Sequence, residues 1–137
     1  MNTKLRKVFK QTYIPARGKV RELGEQIKVW FEELRPPFLI LSIVFTILGI
    51  VVVLKDGHFN PLYAALTLIG IVAPHAAANI LNDYFDYQSS INIGTEYTLF
   101  GGESGILPGG KMTPKAVLVE GILLLLVGFG SDLYFNL

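Results

Sequence analysis

Asn79, Asn82, Asp83 and Asp86 fall in one short run, Asn-Ile-Leu-Asn-Asp-Tyr-Phe-Asp, directly after an apolar stretch over 62–78. A helix advances about 100° per residue, so the four side chains share an arc of roughly 100° on one face. Polar and acidic groups at membrane depth are costly and, where present, mark a site. Acids at a helix C-terminus also oppose the macrodipole, which argues against an idle role. Two carboxylates and two carboxamides on one face offer hard oxygen donors suited to Mg²⁺ and to the phosphates it carries. His75 lies on the same face one turn deeper, where a lone histidine is expected to bond a neighbouring helix.

The elements that must position this face are apolar. The 137 residues are 51% hydrophobic and 17% charged, with no cysteine. That charge content is below the roughly 25% of soluble domains and marks a membrane protein. Without cysteine, disulfides and thiolate metal sites are excluded. The charges are unevenly placed. Lys4, Arg6, Lys7, Lys10, Arg17, Lys19 and Arg21 precede the first acid, and no charge lies between positions 37 and 54. The basic N-terminus lacks the early apolar core of a signal peptide. It reads as a cytoplasmic anchor touching anionic headgroups, with no nucleic-acid partner.

Residues 1–35 form a basic N-terminus ending in an amphipathic interfacial helix over 20–35, where Leu23, Ile27, Trp30, Phe31 and Leu34 keep the helical period. Pro36-Pro37 ends it and starts the next helix. Spanning helices are expected at 38–54, 61–86 and 116–135, the first at the short end of the roughly 17–25 residues needed. Pro74 should kink the second. Positive charge inside places the N-terminus and the 87–115 loop in the cytoplasm of a multi-pass cell-membrane protein. That loop carries Gly94, Gly101, Gly102, Gly105, Gly109 and Gly110. Its backbone amides could cradle an anion, against the plainer reading of a flexible connection. Thr113-Pro114 has the form of an N-cap followed by proline at the first helical position. Lys111 could meet a phosphate or mark the membrane border. Tyr84 and Tyr87 suit the interface, and Asp132 the opposite surface.

In the run Asn82-Asp83-Tyr84-Phe85-Asp86, continuing to Asn92, the chain resembles the UbiA family of intramembrane aromatic prenyltransferases. The stretches Thr98 to Leu107 and Lys111-Met112-Thr113-Pro114 are similar to the loop and third-helix entry of its menaquinone-precursor branch. The resemblance implies an all-α membrane fold, of which this chain is the N-terminal third of a bundle of about nine spans. It implies Mg²⁺ dependence and transfer of a polyprenyl group from its diphosphate to an aromatic acceptor, nearest 1,4-dihydroxy-2-naphthoate, in quinone biosynthesis. Carried over, Asp86 and Asp83 are catalytic. Asn79, Asn82 and Lys111 bind the diphosphate, and Asn82, Asp86 and Asn92 hold metal.

The chain departs from the family at three points. Asn92 replaces an Asp, Glu103 replaces a small residue, and the sequence stops after three apolar runs, so it is expected to be a fragment inactive alone. Two other classes compete. A membrane alcohol-phosphotransferase also sets acids on helices, but it needs Asp-Gly and Ala-Arg pairs that this cluster lacks. A non-catalytic membrane subunit would turn the acidic face to a partner.

Overall fold

The computed structural model describes residues 23–89 and 104–137. Over these it is all helical: α1 (Leu23–Glu33), α2 (Pro36–Lys55), α3 (Pro61–Ser89) and α4 (Pro114–Asn136). Each expected span is present and longer than the apolar run alone indicates, because the polar caps extend it. At 1.5 Å per residue, the 20 residues of α2 reach about 30 Å, the thickness of a bilayer core. The 29 residues of α3 exceed that need, so its last turns, with Asn82 and Asp86, project beyond the apolar run.

Capping explains the boundaries. Arg35 takes a left-handed conformation (φ 55) between α1 and the Pro36-Pro37 start of α2, and its guanidinium lies over the Phe38 ring at 4.3 Å. At the other end of α2, Gly57 (φ 79) donates its N–H to the Leu54 carbonyl while His58 N–H reaches Val53, the paired bonds of a Schellman motif. Asn60 Oδ1 accepts from the amides of Leu62 and Tyr63 and caps α3. Thr113 Oγ1 accepts from Ala116 N–H at 3.2 Å, with Pro114 following, so the expected N-cap is present.

Most tertiary contact lies between α3 and α4, with less between α2 and α3. The antiparallel α3–α4 register is set by small residues. Gly70 faces Ser131, Pro74 faces Gly128 and Leu81 faces Gly121. A Cβ at Gly121 would meet the Leu81 side chain at 2.8 Å, and one at Gly128 would overlap the Pro74 ring. Close backbone approach is how spans associate where lipid is as apolar as leucine. α3 runs unbroken as helix through Pro74.

The core sits at the end of α3 that carries the Asn and Asp residues. Ile80 and Val117 are joined there by Ile106, Leu107 and Met112 from the segment before α4, with Val29 of α1 and Leu34 just after it packed alongside. Burying each such side chain stabilises by about 1.5–3 kcal/mol. That segment is a single helical turn. Lys111 N–H reaches the Ile106 carbonyl, and Gly105 and Gly110 supply the positive φ values that open and close it. Elsewhere the spans expose large apolar side chains, among them Leu41, Phe45, Leu126 and Phe129, each more than half exposed. Such continuous apolar surface suits lipid. The chain is a multi-pass membrane protein with three spans among the described residues.

Candidate functional site

The polar face of α3 divides into two groups. Asn82 Nδ2 donates to Asp86 Oδ2 at 3.0 Å across one turn, and this pair is turned outward. Asp83 is turned inward and is only 4% exposed. Its Oδ1 faces Arg35 Nη1 at 3.4 Å and its Oδ2 accepts the Ser104 N–H at 2.8 Å. Asp83 therefore ties the α1–α2 junction and the far end of the loop to α3. Asn79 is half-buried, and its Nδ2 has no hydrogen-bond partner among the described residues. One turn deeper His75 Nδ1 meets Ser42 Oγ of α2 at 2.5 Å, the interhelical bond expected of it.

Ser104 joins the two sides of a buried polar network. While its amide serves Asp83, its hydroxyl donates to Glu33 Oε2 at 2.6 Å and accepts the Ile106 N–H at 3.2 Å. Glu33 is completely buried at the end of α1. Burial pushes its carboxyl up to about 7. The Ser104 bond and the Arg35 charge oppose this rise, and the Asp83 charge adds to it. Glu120 of α4, 6% exposed, lies within electrostatic reach of Glu33.

Of the residues singled out from the sequence, Asn82 and Asp86 are brought together. Asp83 shares their turn but faces the network. Lys111 Nζ lies 3.3 Å from Glu32 Oε2, which places it against α1. Asn92 and Glu103 lie outside the described residues. Tyr84 and Tyr87 pack against the core cluster, and Asp132 is exposed near the far end of α4. The residues that sequence reasoning passed over are Glu33, Arg35 in its pairing role, Ser104 and Glu120. One signal was available: Glu120 is the single acid of the apolar 116–131 run. The partnership of Glu33 with Ser104, 71 positions apart, leaves no trace in spacing.

Among the described residues no three His, Asp or Glu side chains converge as a metal site. Mg²⁺ does not require that. It is held by one or two carboxylates together with water and substrate phosphates. Asp86, hydrogen-bonded to Asn82 near the end of α3, fits that smaller demand.

The UbiA prenyltransferase family model matches residues 42–137. The chain belongs to the UbiA prenyltransferase family. It is 31% identical over 102 residues to the 1,4-dihydroxy-2-naphthoate octaprenyltransferase of Escherichia coli (strain K12), covering 74% of this chain and 33% of that protein. It is 32% identical over 114 residues to the digeranylgeranylglyceryl phosphate synthase of Thermococcus onnurineus (strain NA1), covering 82% of this chain and 37% of that protein. The chain thus spans about a third of the length of these UbiA relatives. No solved structure matches it. The family match takes in α3, the Asn82–Asp86 pair and all of α4.

Proposed function

We propose that this chain supplies the first acidic motif of an intramembrane prenyltransferase. It would move a polyprenyl group from its diphosphate to an aromatic acceptor of the 1,4-dihydroxy-2-naphthoate kind. The observation that carries the reading is the hydrogen-bonded Asn82–Asp86 pair at the end of an apolar helix in a chain of this family. Asp86 and Asn82 would hold Mg²⁺, with Asn92 as a further ligand. When bound, the ion would neutralise charge on the diphosphate leaving group.

The chain's own residues do the rest. Asn82 holds the Asp86 carboxylate toward the helix end. Asp83, fixed by Arg35 and Ser104, anchors the loop terminus beside it. Asn79 would donate its Nδ2, unpartnered among the described residues, to an oxygen of the diphosphate. Lys111 is placed to exchange Glu32 for a phosphate. Apolar helix surface would receive the prenyl tail and exclude water from the allylic cation left when diphosphate departs. The electron-rich ring would attack that cation and then lose a proton. The positive-inside rule puts this end of α3 in the cytoplasm.

A second reading concerns the acceptor alone. The Thermococcus relative, whose name specifies a glyceryl phosphate product, is as similar as the naphthoate enzyme. Radiolabelled prenyl transfer in membranes carrying the protein separates the two when dihydroxynaphthoate and a prenylated glyceryl phosphate are offered in turn. Transfer to the naphthoate should require Mg²⁺ and fall about 10²–10³-fold in Asp86→Ala, the range for loss of one group that stabilises developing charge. Full activity in Asp86→Ala would overturn the site assignment.

A further inference from the structure

We propose that Glu33 and Arg35 are positioning residues for the Asn82–Asp86 pair. From the end of α1 and its junction with α2 they hold Asp83 from two sides, and that hold sets the direction in which the end of α3 presents the pair. Both residues precede position 42, where the family match begins. Arg35 Nη1 lies 3.4 Å from Asp83 Oδ1. Glu33 acts through Ser104. Its Oε2 accepts the Ser104 hydroxyl at 2.6 Å, and the Ser104 N–H donates to Asp83 Oδ2 at 2.8 Å. Both carboxylate oxygens of Asp83 are thereby engaged, and Glu33 and Asp83 are both buried.

Helix geometry carries the hold to the site. Around α3, Asn82 and Asp86 lie about 100° and 60° from Asp83, on the same side. Fixing Asp83 inward therefore fixes where the pair faces. The end of α3 has need of such a hold. Its close approach to α4 extends to Leu81 beside Gly121. Beyond Leu81, Tyr84 and Tyr87 pack on the core cluster, and helix ends fray where packing thins.

Two features set these residues apart from ordinary packing. Arg35 takes φ 55, a left-handed conformation unfavourable for a residue other than glycine. Such strain persists where the surroundings over-determine it, and here the Asp83 ion pair and the Phe38 ring contact do so. Glu33 is a carboxyl buried beside an apolar cluster, with Val29 and Leu34 packed on Ile106, Leu107 and Met112. An apolar side chain would cost less to bury there, so the carboxyl is explained by the hydroxyl it receives. The consequence for prenyl transfer rests on the function proposed above; the hold on the helix end does not.

The test uses the full chain in phosphatidylcholine nanodiscs, without Mg²⁺ or prenyl donor, and reads amide hydrogen exchange over residues 84–89. Glu33→Leu, Arg35→Ala and Ser104→Ala should each speed exchange there about tenfold or more, the scale of losing one hydrogen bond to a charged group. Residues 64–74 should exchange as in the wild type. Glu33→Gln keeps an oxygen to accept the Ser104 hydroxyl and should match the wild type throughout. Glu33→Leu combined with Ser104→Ala should do no more than either alone, because both break the same link. In membranes carrying the protein, the first three variants should raise the Mg²⁺ concentration for half-maximal prenyl transfer about 10–100-fold, as when a partner that orients a metal ligand is lost, and leave the KM for the acceptor unchanged. Ser104→Ala removes no buried charge and decides the matter if the other two fail to fold. Wild-type exchange over 84–89 in Ser104→Ala, or lost protection in Glu33→Gln, would overturn the proposal. The expected exchange in a protein that transfers no prenyl group would support the positioning and count against the function reading alone.

Discussion

At the residue scale, neighbouring acids with the same sequence signature serve different ends. Asp86 is turned outward beside Asn82, whereas Asp83 is locked between Arg35 and Ser104. Asp83→Asn should therefore cost about 3 kcal/mol of stability, near the low end for breaking a buried ion pair. Asp86→Asn keeps a side-chain oxygen to accept from Asn82 and should cost at most about 1 kcal/mol, the net worth of a typical hydrogen bond, in unfolding titrations in detergent. Equal destabilisation by the two substitutions would contradict the division of the face. Glu33 adds a pH dependence with a definite sign. Its carboxyl is raised from 4.5 to about 7 in the folded chain, so the folded state binds the proton more tightly. The stabilisation is complete below pH 4.5 and is lost as pH rises through 7. At 1.36 kcal/mol per unit it amounts to roughly 3 kcal/mol over that window. Unfolding in mild detergent across pH 4 to 9 should show this decline, and Glu33→Gln should flatten it.

At the element scale, the α3–α4 pair carries the site and is held by close backbone approach. The Pro74 ring fills the space beside Gly128, and Leu81 that beside Gly121, whereas nothing lies within 4 Å of a Cβ built at Gly130. Gly128→Ala should cost about 1–3 kcal/mol by overpacking. Gly130→Ala should be neutral or stabilising by up to about 1 kcal/mol through helix propensity. A thermal-shift comparison of the two variants checks the register, and an equal response from both would mean that Gly128 does not face Pro74. Much of these elements was legible in advance. Runs of apolar residues, Pro36-Pro37 and Thr113-Pro114 are local signals, and they set the helix boundaries to within a few positions. The helical period also placed Asn82 beside Asp86, since residues four apart meet on a helix surface. It could not show which way Asp83 turns, because that depends on Ser104 and Arg35, 21 and 48 positions away. Nor could it reveal Glu33, whose burial is created by folding rather than by its neighbours in the chain.

At the scale of the whole molecule, the three spans, the polar network and the family match combine into one statement about sidedness. The short turn between α2 and α3 and the long segment between α3 and α4 must lie on opposite faces of the membrane, because α3 crosses once. The seven basic residues that precede the first acid favour the cytoplasm for the N-terminus, and with it for Asn82, Asp86 and the loop. The chain has no cysteine, so single cysteines can be introduced on an unreactive background. Gln88 and His58 are exposed at opposite ends of α3 and sit outside the polar network. In intact spheroplasts a membrane-impermeant maleimide should label His58→Cys and leave Gln88→Cys unmodified until the membrane is opened. The reverse pattern would place the acidic pair outside the cell, away from a cytoplasmic supply of Mg²⁺ and prenyl diphosphate. That outcome would remove the prenyl-transfer reading even if the helices pack as described.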